Sequence, residues 1–260
     1  MPLRTEYTPG TFSWIDLTTT DQAAAKEFYG ELLGWSFQDL PVGEGVFYTM
    51  AVVDGENVAA IAPQPEQQRD AGAPPLWNSY ITVQSADAAA DRAKSLGGSA
   101  HTPVFDVMDA GRMAVLQDPH GAYFMVWEPR QNIGAGLVNA PGALTWNELT
   151  TPDLDASEDF YGGLFGWTTE IAPGPFEYRV IKNAAGRNNG GMRPPMPPGT
   201  PPFWLAYLGT VDITATAAKV TELGGNVLAP PMTIEGMGEI AVVQDPQGAV
   251  FALYAGNFDD

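Results

Sequence analysis

Two acidic residues occupy matching places in the sequence and are the first candidates for chemistry. Asp16 and Glu148 each follow a tryptophan, Trp14 or Trp146, by two residues in a strand-like segment. Because side chains alternate along a strand, each carboxylate is expected to share a face with its tryptophan. Burial in an apolar cavity raises the pKa of a carboxyl group, which suits a general acid or base. The alternatives are a ligand anchor, a domain contact, or a carboxylate satisfied by backbone donors.

Aromatic residues recur at matching positions near these acids and indicate a ligand cavity. Aromatic walls suit a flat or apolar ligand, although packing in the core or between domains is the alternative for any single ring. For Trp35 and Trp167, which follow a helix, we expect packing. The residues predicted to line a cavity are Trp14, Tyr48, Trp77, Tyr80, Met125, Trp146, Tyr178, Trp204 and Tyr207.

The composition excludes several kinds of site. The 260 residues include no Cys and two His, His101 and His120, both expected at the surface. Thiolate nucleophiles, iron–sulfur clusters and a three-histidine metal site within one chain are therefore excluded. A net charge of −19 argues against nucleic acid and against anionic membrane surfaces. There is no long apolar run or secretory signal, so we expect a cytoplasmic protein whose partner is a small molecule or another protein.

The sequence contains a duplication. Residues 9–35 and 141–167 align residue by residue, and the segment QDPHGAYF at 117–124 matches QDPQGAVF at 244–251. This repeat predicts an N-terminal domain over residues 1–131 and a C-terminal domain over residues 142–260. Residues 132–141, which are rich in Gly, Asn and small residues, are predicted to link them.

The elements that must position the acids can be read from the first copy. A strand over 11–18 leads to Thr20 or Asp21, either of which can cap a helix that runs to about Leu33 and ends at Gly34. Strands are predicted around 46–53, 57–62, 79–83, 112–117 and 122–127, with a second helix over 86–96. This order predicts two βαβββ units in each copy.

The motifs resemble those of a known superfamily. A strand followed by Asp-x-x-x-(Ala/Ser)-x-x-Phe-Tyr-x-x-Leu-(Leu/Phe)-Gly-Trp, and a later Asp-Pro-x-Gly turn, is similar to the vicinal oxygen chelate superfamily. Glyoxalase I, bleomycin-resistance proteins and extradiol dioxygenases belong to it. The resemblance implies an α+β fold of two tandem domains with cupped mixed sheets. The tandem form resembles two-domain actinobacterial proteins, some of them hydroxylases or associated with antibiotic biosynthesis.

The same resemblance implies where metal-using members would hold a divalent ion. His, Glu or Gln ligands come from the first and last strands of each unit, and such nitrogen and oxygen donors suit a divalent metal. None of the matching residues here is His, Glu, Gln or Asp, so we predict no metal site and no cofactor. The matching residues are Trp14, Ala60, Asn78, Met125, Trp146, Gly191, Leu205 and Ala252.

The leading functional hypothesis is a metal-free cup that binds a small apolar or aromatic metabolite. The protein would sequester this compound or modify it with Asp16 or Glu148 as acid or base. One alternative is a glyoxalase, lyase or extradiol dioxygenase with a non-standard ion site built from Asp16, Glu148 or a histidine. A hydroxylase-associated activity and a non-catalytic accessory protein are the others. We expect the two domains to pair within a monomer, with a dimer as the alternative.

Overall fold

The computed structural model describes residues 3–174 and 176–258. The first half of the chain forms two βαβββ units, with a short extra helix between them and one additional short strand. Its elements are β1 (Phe12–Thr19), α1 (Gln22–Leu33), β2 (Ser36–Gly43), β3 (Val46–Val53), β4 (Glu56–Pro63), α2 (Glu66–Asp70), β5 (Leu76–Thr82), α3 (Ala86–Ser95), β6 (Ser99–Ala100), β7 (Phe105–Val107), β8 (Gly111–Gln117) and β9 (Tyr123–Pro129).

The second half repeats the order of the two units, and its described residues include no counterpart of α2 or β7. The prediction of four βαβββ units is confirmed, while β2, α2, β6 and β7 had not been placed from the sequence. The elements are β10 (Leu144–Thr150), α4 (Leu154–Phe165), β11 (Thr168–Ile171), β12 (Arg179–Lys182), β13 (Asn188–Arg193), β14 (Phe203–Gly209), α5 (Ile213–Glu222), β15 (Asn226–Ile234), β16 (Gly238–Gln244) and β17 (Val250–Gly256).

Each half of the chain forms one mixed sheet with the first strand of the half near its centre. The strand order is β2-β3-β4-β1-β5-β9-β8-β6 in the first sheet, where β7 also pairs with β8, and β11-β12-β13-β10-β14-β17-β16-β15 in the second. β1 runs parallel to β4 and antiparallel to β5, and β10 has the same relation to β13 and β14. The strands that carry Asp16 and Glu148 therefore each have a paired strand on both sides.

The helix that follows each central strand begins and ends as the sequence predicts. The side chain of Asp21 accepts a hydrogen bond from the backbone N–H of Ala24, and Asp153 does the same for Ala156. Gly34 and Gly166 end the helices with φ of +71°, a left-handed conformation that glycine adopts at little cost.

A tyrosine from each of these two helices forms hydrogen bonds with the other half of the chain. The Tyr29 hydroxyl donates to Asp245 Oδ2 at 3.0 Å and accepts a hydrogen bond from Trp77 Nε1 at 3.1 Å. Tyr161 makes the equivalent bonds with Asp118 and Trp204, both at 3.0 Å. Each acid comes from the Asp-Pro-x-Gly turn of the other half. The repeat therefore forms a pseudo-symmetric interface within one chain.

This interface corrects the cavity lining expected from the repeat. Trp77 and Trp204 pack in the core, against the tyrosines of the helices, rather than beside the acids. The packing role expected for Trp35 and Trp167 is confirmed, since both are buried. Their indole N–H groups donate to backbone oxygens of the opposite half, those of Gly142 and Gly10.

The segment over 132–141, predicted as a linker, packs against the first sheet. The backbone N–H of Ala135 donates to the backbone oxygen of Ser13 at 2.8 Å, and that of Gly136 donates to the backbone oxygen of Asn57 at 2.8 Å. Gly134 has φ of +111°, and a Cβ at this position would overlap the backbone oxygen of Ser13, so glycine permits this close approach. The domain boundaries themselves stay a prediction. Among the described helices, none is long and apolar enough to cross a membrane.

We expect Tyr29→Phe and Tyr161→Phe each to lower the free energy of unfolding by about 1–3 kcal/mol, because each leaves a buried carboxylate oxygen and a buried indole N–H without their partner. Urea unfolding followed by circular dichroism measures the change. Tyr123→Phe is the control, since Tyr123 is 45% exposed, and its effect should stay within about 0.5 kcal/mol. Equal stability of all three variants and the wild type would contradict the role of the interface.

Candidate ligand-binding cups

The two faces of each sheet carry different sets of residues. Along β1, Ile15 and Leu17 pack in the core that includes α1, while Trp14 belongs to a separate cluster on the other face. We call the region around the acid on this other face the cup of that sheet. The N-terminal cup consists of Trp14, Asp16, Tyr48, Asn78, Tyr80 and Met125. The C-terminal cup consists of Trp146, Glu148, Tyr178, Leu205, Tyr207 and Ala252.

Uncharged donors hold the acid of the N-terminal cup. Asp16 is 4% exposed. Its Oδ2 accepts hydrogen bonds from the hydroxyls of Tyr80 at 2.7 Å and Tyr48 at 3.0 Å, and its Oδ1 accepts from Asn78 Nδ2 at 2.7 Å. Trp14 Nε1 donates in turn to the Tyr48 hydroxyl at 2.9 Å. No cation takes part in these contacts, so the negative charge of Asp16 is stabilised by hydrogen bonds alone.

Burial sets the protonation chemistry of this cluster. Loss of solvation raises the pKa of Asp16 above its ordinary value, and the bonds from Tyr80, Asn78 and Tyr48 offset only part of this rise. Burial and the nearby Asp16 charge hold the pKa values of Tyr48 and Tyr80 well above the ordinary tyrosine value. Both phenols therefore remain neutral donors to the carboxyl group.

An ion pair holds the acid of the C-terminal cup instead. Glu148 Oε1 accepts a hydrogen bond from Arg193 Nε at 2.6 Å, and Oε2 accepts from the Tyr207 hydroxyl at 2.9 Å. Trp146 Nε1 donates to the Tyr178 hydroxyl at 2.9 Å, which matches the Trp14–Tyr48 bond of the first cup. A Cβ at Gly191 would overlap the Tyr178 hydroxyl, so glycine leaves room for this ring beside the acid.

The strand register shows that the acids lie between positions the resemblance assigned to metal ligands. Asp16 pairs with Ala60 on one side and Asn78 on the other, and Glu148 pairs with Gly191 and Leu205. The other four assigned positions are Trp14, Met125, Trp146 and Ala252. Trp14 and Met125 both pair with Tyr80, and Trp146 and Ala252 both pair with Tyr207, two residues along the strands from the acids.

These donors do not fit a divalent ion. Each cup contains one carboxylate, and Asp16 and Glu148 lie in separate sheets. Within residues 3–174 and 176–258, no three His, Cys, Asp or Glu side chains are grouped closely enough to hold a metal. His101 is exposed and lies near Tyr123, outside both cups. His120 is half-buried rather than exposed as expected, because its turn packs between the halves.

The structure brings most of the predicted site residues together and adds others. Seven of the nine predicted lining residues lie in the cups, and Trp77 and Trp204 do not. Sequence reasoning missed Arg193, which pairs with Thr150, just as Ala62 pairs with Thr18 in the first sheet. It also missed the apolar residues Met50 and Trp127 of the N-terminal cluster. Ala62 and Arg193 lie outside the segments of the repeat that were aligned, and the strand pairing shows that they are equivalent.

Comparison with known proteins agrees with this architecture. Residues 11–126 and 143–253 match the Glyoxalase/Bleomycin resistance protein/Dioxygenase superfamily. The chain therefore belongs to this superfamily and contains two tandem domains of its type. This confirms the family resemblance and the α+β fold predicted from the motifs.

Particular relatives cover nearly the whole chain. CFP32 of Mycobacterium tuberculosis, whose name includes the word glyoxylase, is 48% identical over 257 residues, 97% of each chain. The anthracycline biosynthesis protein DnrV of Streptomyces peucetius is 31% identical over 268 residues, 96% of this chain and 94% of DnrV.

Solved structures share the fold at low sequence identity. The Mn(II)-bound glyoxalase of Novosphingobium aromaticivorans has a TM-score of 0.66 and 15% identity, covering 96% of this chain and 83% of that one. The 2,3-dioxygenase LapB of Pseudomonas sp. KL28 has a TM-score of 0.67 and 11% identity, covering 96% and 94%. These likenesses support the fold alone.

We expect Asp16→Asn to stabilise the protein at neutral pH. The amide mimics the protonated acid, and a rotated Asn78 side chain can accept its N–H. Because the native pKa of Asp16 is raised, the wild type loses stability as pH rises from the ordinary aspartate pKa to the native one, by about 1.4 kcal/mol for each pH unit between them. Urea unfolding over a pH series should show the advantage of the variant growing with pH. An advantage independent of pH would contradict the buried acid.

Glu148→Gln should have the opposite effect. It leaves the guanidinium of Arg193 without its carboxylate, and hydrogen bonds to charged groups contribute about 1.5–3 kcal/mol. We expect a loss of about this size by urea unfolding at neutral pH. The double variant Glu148→Gln/Arg193→Gln should recover much of it, because no unpaired charge remains. A Glu148→Gln variant as stable as the wild type would show that the ion pair contributes nothing.

Proposed function

We propose that the N-terminal cup binds a small, largely apolar or aromatic metabolite, and that Asp16 contacts its polar group. The observation that carries this proposal is the environment of Asp16. A carboxyl group 4% exposed is held by neutral donors among apolar and aromatic side chains. Small-molecule sites combine such apolar walls with a few polar groups that orient the ligand.

The lining favours a ligand with a flat or apolar body. Trp14, Met50, Met125 and Trp127 are each less than 10% exposed and belong to one cluster around Tyr80. Methionine side chains adapt to irregular shapes, and the tryptophans offer flat surfaces with favourable ring geometry. A strongly charged ligand would have to lose its hydration against these walls, which would weaken its binding.

Asp16 gives the cup the means to exchange a proton with its ligand. In the protonated state, the carboxyl group can transfer its proton to a ligand oxygen or nitrogen, and the Tyr48, Tyr80 and Asn78 donors then stabilise the carboxylate that forms. In the ionised state, it accepts a hydrogen bond or a proton from the ligand. The raised pKa of Asp16 brings the two states closer in free energy at neutral pH.

The geometry of the N-terminal cup is compatible with sequestration of a ligand and with its chemical modification. Sequestration requires only the hydrogen bond and the apolar walls, whereas a metal-independent modification requires the proton transfer. DnrV is named for the biosynthesis of anthracycline, a small molecule, which supports a metabolite ligand for this family of tandem proteins. The donor sets of both cups favour a metal-independent activity over a metal-dependent glyoxalase or dioxygenase reaction.

Binding of 2-naphthol, a neutral aromatic hydroxyl compound, tests the proposal by isothermal titration calorimetry. We expect one saturable site whose affinity rises with pH across the titration of Asp16, because a carboxylate accepts a stronger hydrogen bond than a carboxylic acid. In Asp16→Asn, the affinity should be about five- to tenfold lower at neutral pH and independent of pH, an effect of about 1 kcal/mol.

Two substitutions locate the bound probe. Met125→Gln places a polar group in the apolar wall and should weaken 2-naphthol binding several-fold. Met108→Gln makes the same change at a site that is 63% exposed in the same half, and it should leave the affinity unaltered. The absence of saturable binding, or identical pH profiles for the wild type and Asp16→Asn, would overturn the proposal.

A further inference from the structure

The two cups differ by a set of compensating exchanges at equivalent positions. Asn78, which donates to Asp16, is replaced by Leu205, which has no donor, at the same strand pairing. Arg193 occupies the position of Ala62 and supplies the donor that Leu205 cannot. The acid of the second cup has therefore exchanged a neutral partner for a cationic one.

The cation has more donors than the acid uses. A guanidinium carries five N–H groups in a planar fork. Arg193 uses Nε for Glu148, and Nη1 for the backbone oxygen of Pro194 at 3.3 Å. Among the described residues, Nη2 has no hydrogen-bond partner, and the side chain is 18% exposed. The guanidinium can therefore donate a hydrogen bond to a ligand oxygen while it keeps its bond to Glu148.

The surroundings of this guanidinium suit an aromatic ligand. Trp146 and Tyr207 belong to the apolar cluster of the second sheet together with Leu205, and the Tyr178 hydroxyl accepts a hydrogen bond from Trp146 Nε1. Arg193 also lies near enough to Tyr178 and Tyr207 to influence their ionisation. An aromatic wall beside a cation with free N–H groups matches a molecule that has a ring and a carboxylate.

We propose that the C-terminal cup is a second ligand site, selective for small aromatic carboxylates, in which Arg193 binds the carboxylate. Two N–H groups of the fork can bind the two oxygens of one carboxylate. The net charge of −19 opposes an anion only weakly at this point, because charges farther than about 8–10 Å are screened at physiological salt. This site is independent of the ligand proposed for the N-terminal cup.

Paired probes of equal shape test the proposal. We expect 1-naphthoate to bind the wild type saturably, as measured by calorimetry. In Arg193→Gln its affinity should fall at least about tenfold, because charge-assisted hydrogen bonds are lost. The neutral probe 1-naphthalenemethanol should bind the two proteins within about twofold of each other.

Control variants separate the local contact from folding and net charge. Arg187→Gln removes the same charge from an exposed position of the same half and should leave 1-naphthoate affinity within about twofold. Glu148→Gln/Arg193→Gln leaves no unpaired charge and should show the same loss as Arg193→Gln, even if the single variant folds poorly.

Three results would overturn the proposal. They are the absence of saturable 1-naphthoate binding by the wild type, equal affinity in the Arg193 variants, and a loss of affinity caused by Asp16→Asn rather than by the Arg193 substitutions. The last result would place the anion in the N-terminal cup. None of them would decide whether 2-naphthol binds the N-terminal cup, so the two proposals can fail separately.

Discussion

A carboxyl group buried on the central strand of each sheet is the constraint on which the rest of the site depends. Such a group has to be hydrogen-bonded or neutralised, because an unpaired buried charge is strongly destabilising. In the first sheet, Tyr48, Tyr80 and Asn78 meet this need without a cation. The small residues Ala60 and Gly191 stand beside the acids in the strand pairing, and Gly191 leaves space for the Tyr178 ring. The strand pairing therefore determines which residues surround each acid.

Duplication lets the two cups meet the same constraint in different ways. Each half of the chain contributes one tyrosine and one aspartate to the interface, and the two tyrosine–aspartate bonds are equivalent. The two sheets are therefore held together in the same way from both sides. The cups differ at the acid and at its partner, where Asn78 has been exchanged for Arg193 as donor. One cup thus keeps a carboxyl group with a raised pKa, and the other keeps a neutralised pair with spare cationic donors. The two cups of one chain accordingly differ in electrostatic character.

Much of this arrangement was predictable because the repeat, the helix caps and the strand alternation are local signals. Alternation correctly placed Asp16 on the face of Trp14. The same rule could have removed Trp77 from the cup, because it is three residues from Tyr80 and so faces the opposite side of β5. Arg193 could not be assigned to Glu148, because the parallel pairing of β10 with β13 joins segments distant in sequence. Parallel strands are joined by a long crossover connection, so no local turn signal shows which two segments pair.

The direct titration of Asp16 tests the central claim, that this cup holds a carboxyl group stabilised by neutral donors alone. Carbon-13 NMR of the aspartate side-chain carboxyls, with Asp16→Asn to assign the resonance, reports its protonation as a function of pH. We predict a midpoint above the ordinary aspartate value of about 3.9, and a further rise in Asn78→Leu, which removes one donor. A midpoint at or below the ordinary value would contradict the claim, because the carboxylate would then be stabilised by more than its three neutral partners.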